Sequence, residues 1–231
     1  MKSLHVILGM LVLILADATA QEARRIKFRA VCLAHAGEVK KVRLLAASQP
    51  VEIDLITGDF TREAEATVAG GTLRFALPDA GADGEPEVVA TVDALEGERH
   101  LLVFVPGTTG ERTYRVLAID DSEAAFPMGS SRLINLAPAK VRFTIGENSR
   151  ELASGGTGDL PLPKKLNSMN QCPVQAAIAE PGGEWRVFSS TRWHATLQER
   201  SLVITFIDPS RGRPAFRRWA DVPPWRRPKL D

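Results

Sequence analysis

"RAVCLAHA" (Arg29–Ala36) returns about a hundred residues later as "RLINLAPA" (Arg132–Ala139), with Arg, Leu, Ala and Ala at the same four places. The correspondence continues outward. "KVRLL" at Lys41 is followed in the second half by "KVRFT" at Lys140, and "PEVVATV" at Pro86 aligns with "PVQAAI" at Pro173. The ends agree as well: "LLVFVPGTTGERTYRVLAIDD" from Leu101 and "LVITFIDPSRGRPAFRRWAD" from Leu202 share an apolar run, a turn containing Pro and a Gly, with Tyr114 set against Phe216. Two spans of nearly equal length result, Arg29 to Asp120 and Arg132 to Asp221, although their middles do not align. Recurrence of this kind predicts one fold written twice.

The segments inside each span read as strands. "VEIDLI", "TLRFAL", "EVVATV", "HLLVFV", "TYRVLAI", "KVRFTI", "PVQAAIA" and "SLVITFI" are short, rich in β-branched and aromatic residues, and mostly alternating. Turn-forming pieces such as "TGD", "PGTTGE", "SGGTG" and "DPSRG" separate them, and "TREAEA" is the one weak helical candidate. The expected fold is therefore all-β: two tandem immunoglobulin-like antiparallel β-sandwich units after a signal peptide. The expected boundaries are a signal at 1–20, an N-terminal unit at 21–121, a linker at 122–130, a C-terminal unit at 131–222 and a basic tail at 223–231. Alternation puts Val103 and Val105, or Ile204 and Phe206, inside their own sandwich. A single sandwich with interleaved strands is the alternative.

"MKSLHVILGMLVLILADATA" carries Lys2, an apolar run from Val6 to Leu15, and small residues at Ala18 and Ala20. It reads as a secretory leader cleaved before Gln21; the run is about a dozen residues where a membrane span needs roughly twenty. The mature chain is expected to be exported, to the periplasm or beyond, with no transmembrane segment. Its net charge stays at +1, since the leader removes one Lys and one Asp, and neither charge nor compartment suits nucleic acid. Charge is nevertheless segregated: Asp79 to Glu98 holds seven acids and no base, while Arg211 to Asp231 holds seven bases against two acids.

"SSRLINLAP", followed by "VRFTIGE" and a Gly-rich turn, resembles the opening of bacterial immunoglobulin-like domains of unknown function found in exported proteins. The resemblance covers about thirty residues. It implies a sandwich and a cell-envelope or secreted setting, and carries over no functional residue. Periplasmic pilus chaperones share the leader and the two-domain length, but their characteristic sequence pattern is not found here.

Cys32 and Cys172 would enter a compartment that permits disulfides. Their pairing would close a loop of about 140 residues, worth roughly 4 to 5 kcal/mol in the chain-entropy model, while Cys32 equally suits a buried thiol on a strand face. Neither has a second Cys or His at ligand spacing, so no metal site and no cofactor are expected. His35, His100 and His194 stand apart from one another, Ser154 lacks a nucleophile elbow, and "SGGTG" is a hairpin loop rather than a phosphate cradle. Asp120 and Asp121 could offer oxygens to calcium, but read more simply as the start of a linker. No catalytic residue is assigned. The four tryptophans all lie in the second half, and Trp193, His194, Arg217, Arg218, Trp219, Trp225, Arg226 and Arg227 form the candidate binding set, suited to an envelope protein or an anionic polysaccharide. The expected role is non-catalytic binding or assembly in the bacterial cell envelope. The alternatives are a hydrolase or metal-dependent enzyme assembled from distant residues, which would bring the histidines and carboxylates into one cleft, and a periplasmic chaperone-like protein.

Overall fold

The computed structural model describes residues 23–47, 49–80, 84–107 and 111–227. The expected leader lies outside them, as do Pro228–Asp231 of the expected basic tail. Strands β1 (Arg24–Cys32), β2 (Lys41–Leu44), β3 (Val51–Asp54), β4 (Ala64–Val68), β5 (Thr72–Ala80), β6 (Pro86–Asp93), β7 (Arg99–Pro106) and β8 (Tyr114–Asp120) make the first unit. The second consists of β9 (Ser131–Asn135), β10 (Val141–Ile145), β11 (Asn148–Leu152), β12 (Thr157–Leu160), β13 (Gln171–Ala179), β14 (Trp185–His194), β15 (Arg200–Asp208) and β16 (Arg213–Asp221), followed by a 3₁₀ turn at Pro224–Arg226. No helix among the described residues is long and apolar enough to cross a membrane.

Each unit is a sandwich of two four-stranded sheets. The orders are β4-β1-β7-β8 and β3-β2-β5-β6 in the first, β12-β9-β15-β16 and β11-β10-β13-β14 in the second, so every strand recurs eight places later. Strands do not interleave between the units. Pairing is antiparallel except for β1 with β7 and β9 with β15, which are parallel. The constant immunoglobulin arrangement places the first two strands side by side; here the first lies between the fourth and seventh, and the second lies in the opposite sheet.

Register tests the sequence alignment residue by residue. Arg29 lies opposite Leu101 and Arg132 opposite Leu202, while Cys32 faces Phe104 and Asn135 faces Thr205, so the opening match is in register. Arg43 opposite Ala76 and Arg142 opposite Ala177 put "KVRLL" and "KVRFT" on equivalent strands. Two expected matches are displaced. Pro86 opens edge strand β6 whereas Pro173 lies in β13, whose counterpart is β5. Tyr114 pairs with Pro106 and Pro214 with Ile207, so Pro214 rather than Phe216 is the counterpart of Tyr114. A period of two explains why the slip is hard to see: positions two apart share a face and a similar side-chain type.

Ile26, Phe28, Ala30 and Cys32 alternate into the first core, where Phe104 packs edge-on against Phe75 at 5.1 Å and against Tyr114 at 5.7 Å. The Tyr114 hydroxyl accepts from the Ala36 N–H at 2.8 Å and donates to the Val39 carbonyl at 2.5 Å, pinning the loop that leaves β1. Phe143, Cys172, Val174 and Val203 belong to the second core, with Phe216 and Trp193 packed against it at 5.6 Å from each other. The two cysteines therefore occupy separate cores, and both are free. The bridge left open by the sequence is not formed, because each thiol is used as a small apolar group inside its own sandwich. Burial pushes the Cys32 thiol up to about 12, and burial raises Cys172 as well. At pH 8, Ellman's reagent should label neither thiol in the folded protein and both in denaturant; two labelled thiols in the native state would contradict this placement.

The outward faces of β1, β7, β9 and β15 are apolar too. Val31, Leu33, Leu101, Val103 and Ile119 of the first unit meet Ile134, Leu202, Ile204 and Trp219 of the second in a third buried cluster. Val103 and Ile204 are thus fully buried but between the units, and Val105 and Phe206 pack half-buried on the rim of the same contact, not inside their own sandwiches as alternation suggested. Both faces of the central strands are covered, which is why "LLVFV" runs apolar without interruption and "LVITFI" is broken only by the buried Thr205.

Candidate functional site

Equivalent residues of the two units meet at each end of this contact, and the two ends differ in chemistry. At one end lies a closed ring of four charges. Asp121 sits just beyond β8, its N–H donating to the Arg99 carbonyl, and Asp221 ends β16 opposite Arg200, so the two aspartates are equivalent in the repeat. Arg29 forks onto both: Nε and Nη2 donate to Asp121 at 3.0 Å each, and Nη1 and Nη2 to Asp221 at 2.8 Å each. Arg200 closes the ring by donating from Nε to Asp221 at 2.9 Å and from Nη2 to Asp121, and its Nη1 donates to the Phe126 carbonyl at 2.8 Å. All four side chains are essentially inaccessible, with exposures of 0 to 2%. The ring is neutral, which is the condition under which such burial is tolerated. For Asp221, burial works to raise the acid's pKa, but the Arg29 and Arg200 guanidinium groups outweigh it and hold the carboxyl below the ordinary aspartate range.

The two units supply four arginines at equivalent positions here, and the ring takes two. Arg29 enters while its equivalent Arg132 turns to Asp159, with Nε at 2.8 Å; Arg200 enters while its equivalent Arg99 pairs with Glu63. Two aspartates neutralise only two guanidinium groups, so the other pair is satisfied elsewhere.

Much of the candidate binding set is absorbed by this junction. Trp225 covers the ring, with the Arg99, Arg200 and Arg29 guanidinium carbons at 4.1, 5.5 and 5.7 Å from its ring centroid. Arg226 pairs with Glu123, and Arg227 donates from Nε to the Val222 carbonyl at 2.9 Å. Arg217 donates to the Leu33 carbonyl at 2.6 Å, and the Trp219 indole N–H donates to the Thr57 carbonyl at 3.0 Å, both across the junction. Pro223–Arg227 is therefore a docked cover over the charged end. Nothing in the sequence marked Asp121 and Asp221 as partners of Arg29; the available signal was the placing of Arg at the head and Asp at the tail of both repeats.

At the other end the contact opens into a cleft of about 420 Å³. Leu33 and Leu136, Val105 and Phe206, and Pro106 and Ile207 enter it as equivalent pairs, one from each unit. The polar groups on its lining are few. The His35 Nε2–H donates to the Leu55 carbonyl at 2.7 Å, which leaves Nδ1 as an acceptor, and Glu111 lies exposed at the edge.

Trp193, His194 and Arg218 come together elsewhere, at an end of the second sandwich. They line a slot of about 20 Å³ with Ser130, Ser131, Ser201 and Glu199. Arg218 reaches inward from β16, stacks over the Trp193 ring at 4.9 Å and donates from Nε to Ser201 Oγ at 3.0 Å. Burial lowers its pKa.

No protein-family model matches the chain, and no curated protein matches it. Among solved structures, a candidate cell adhesion protein from Bacteroides uniformis aligns over 86% of this chain and 97% of its own, at 9% identity and a TM-score of 0.25. A DUF3823 family protein from Bacteroides ovatus aligns over 73% of this chain and 98% of its own, at 8% identity and a TM-score of 0.20. Likeness at that level transfers neither residue nor role.

The histidines do not converge. His35 lines the inter-unit cleft, His194 the slot, and His100 is buried in β7 with neither ring nitrogen hydrogen-bonded. Among the described residues, no group of three or more His, Cys, Asp and Glu gathers as metal ligands. Asp121, considered for calcium, spends both carboxylate oxygens on arginine.

Proposed function

We propose that this is an exported, non-catalytic binding module in which two copies of one sandwich are locked into a rigid body and an apolar ligand group is received in the cleft between them. The cleft is the observation that carries this reading. Its volume falls in the ligand-sized range of several hundred Å³, its lining is apolar with a few polar groups at the edge, and it belongs to neither unit alone. Export rests on the leader, and residues 122–130 serve as the linker, with Ser130 Oγ donating to the Pro127 carbonyl at 2.6 Å to tighten the crossing. Duplication is supported by the strand order, which repeats with an offset of eight and keeps one parallel pair per unit.

An acyl or aromatic group would enter past Leu136 and Phe206, with His35 Nδ1 and the Glu111 edge meeting its polar end. 1-Decanol, whose hydroxyl can donate to either group, and the neutral fluorophore N-phenyl-1-naphthylamine are suitable probes, read by calorimetry and fluorescence with the mature protein. Saturable binding weakened roughly tenfold or more in Leu136→Glu, a half-buried site where the fold should survive, is the expected result. Absence of saturable binding, or binding indifferent to Leu136→Glu in a folded variant, would overturn the reading.

A further inference from the structure

We infer that the slot at Arg218 is a second binding site, which takes a single carboxylate group. The reason is an incomplete charge balance. Every other arginine near the unit junction has a carboxylate or carbonyl partner, but no carboxylate of the described residues lies within ion-pair distance of Arg218, which is half-buried between the sheets. Among the described residues only Ser201 accepts from it, through Nε, leaving the two-nitrogen edge of the guanidinium unmatched by any of their oxygens. A half-buried cation without a close counter-ion is incompletely balanced, and a planar fork is matched best by a carboxylate.

The repeat supplies an internal comparison. Ala118 lies opposite Leu102 where Arg218 lies opposite Val203, and His100 occupies the position of Ser201. The first unit therefore fills this end with a buried imidazole and an alanine, while the second leaves a slot, lined by Ser130, Ser131, Ser201 and Thr196 hydroxyls, with Trp193 forming one wall. The volume, about 20 Å³, admits a small head and not a sugar ring or a phosphate diester. Glu199 on the lining selects further, because its negative charge disfavours a dianion. The rest of the ligand lies outside, towards Leu197, which is 70% exposed and lies close to Gly129.

The full mature chain should be titrated with sodium acetate at constant ionic strength, following the Trp193 indole N–H resonance. N-acetylglycine and glucuronate, run in parallel, distinguish a peptide terminus from a sugar acid as the source of the carboxylate. A saturable shift is expected in the wild type, weakened roughly tenfold or more in Arg218→Met and less in Arg218→Lys, and strengthened in Glu199→Gln. Without ligand, Arg218→Met should be as stable as the wild type or more so, since an unpaired charge is replaced by an apolar chain. The inference is overturned if no saturable shift occurs, if it survives Arg218→Met, or if sulfate competes equally. It also fails if Arg218→Met is strongly destabilised while a folded Arg218→Gln binds acetate as the wild type does, which would make Arg218 purely structural.

Discussion

Asp221→Asn is expected to lower folding stability by about 3–5 kcal/mol, among the largest effects of any single substitution in this chain. The replacement keeps the shape of the side chain and removes one negative charge from the ring, leaving Arg29 and Arg200 with a single carboxylate between them. The ring buries two cations at 0 to 1% exposure, so the excess charge has no water to turn to. Urea denaturation followed by far-UV circular dichroism measures the change. The companion variant is the ring replaced whole, with both arginines changed to Met and both aspartates to Leu. It should be closer to the wild type than Asp221→Asn, because breaking a buried network is worse than exchanging it for apolar packing. A ring-free variant less stable than the single substitution would refute this account.

The ring also sets a pH dependence. The folded Asp221 carboxyl is held below its ordinary value of 3.8, so its contribution is fully present above that value and is lost as pH falls through the lower folded pKa. Burial lowers the His100 pKa from 6.5, so the unfolded chain binds that proton first and stability begins to decline as pH falls below about 6.5. Two stages of acid destabilisation are expected, and Asp221→Asn should weaken the more acidic one, to which Glu98, Glu123, Glu147 and Asp208, also held below their ordinary values, contribute as well.

Ile204→Lys is the second substitution with a large expected effect. Ile204 is fully buried, but against the other unit rather than inside its own. A lysine there loses the burial of the isoleucine, roughly 1.5 to 3 kcal/mol, and adds the desolvation of an ammonium group, for a total of about 4 kcal/mol or more. The consequence should be selective. The two sandwich cores contain no member of the inter-unit cluster, so each unit is expected to keep its own packing while the contact between them opens. Limited proteolysis reads this directly: Ile204→Lys should be cut between residues 121 and 130, where the wild type resists. Glu85→Lys, at an exposed position, should change stability by no more than about 0.5 kcal/mol. Equal protease resistance in Ile204→Lys and the wild type would show that the units do not meet through this face in solution.

Strand content, the number of units and the opening register were legible because they depend on local chemistry. β-branched runs, Gly-rich turns and a recurring "R-x-x-x-L-A-x-A" are visible without knowing what each strand faces. Asp121 and Asp221 were not legible as a pair with Arg29, although all three stand at the boundaries of the repeats, because the ring joins residues as far as 192 positions apart. The sequence places Trp219, Trp225 and Arg217 in a candidate binding set without deciding their exposure, because aromatic and cationic residues serve equally well at a binding face and at a buried junction. Trp193 and Arg218 meet in a slot at an end of the second sandwich, a contact that their separation in the chain does not show.

By itself the sequence determined that the chain is built of short strands in two units, since periodicity and turn chemistry act over a few residues and survive without any partner. Only the tertiary structure decided which face of each strand is the inside. The central strands β1, β7, β9 and β15 are apolar on both sides, and alternation cannot distinguish a face covered by the opposing sheet from one covered by the second unit. That choice, made by the fit of two equivalent sheets and the neutrality of the ring at one end, leaves the cleft open at the other.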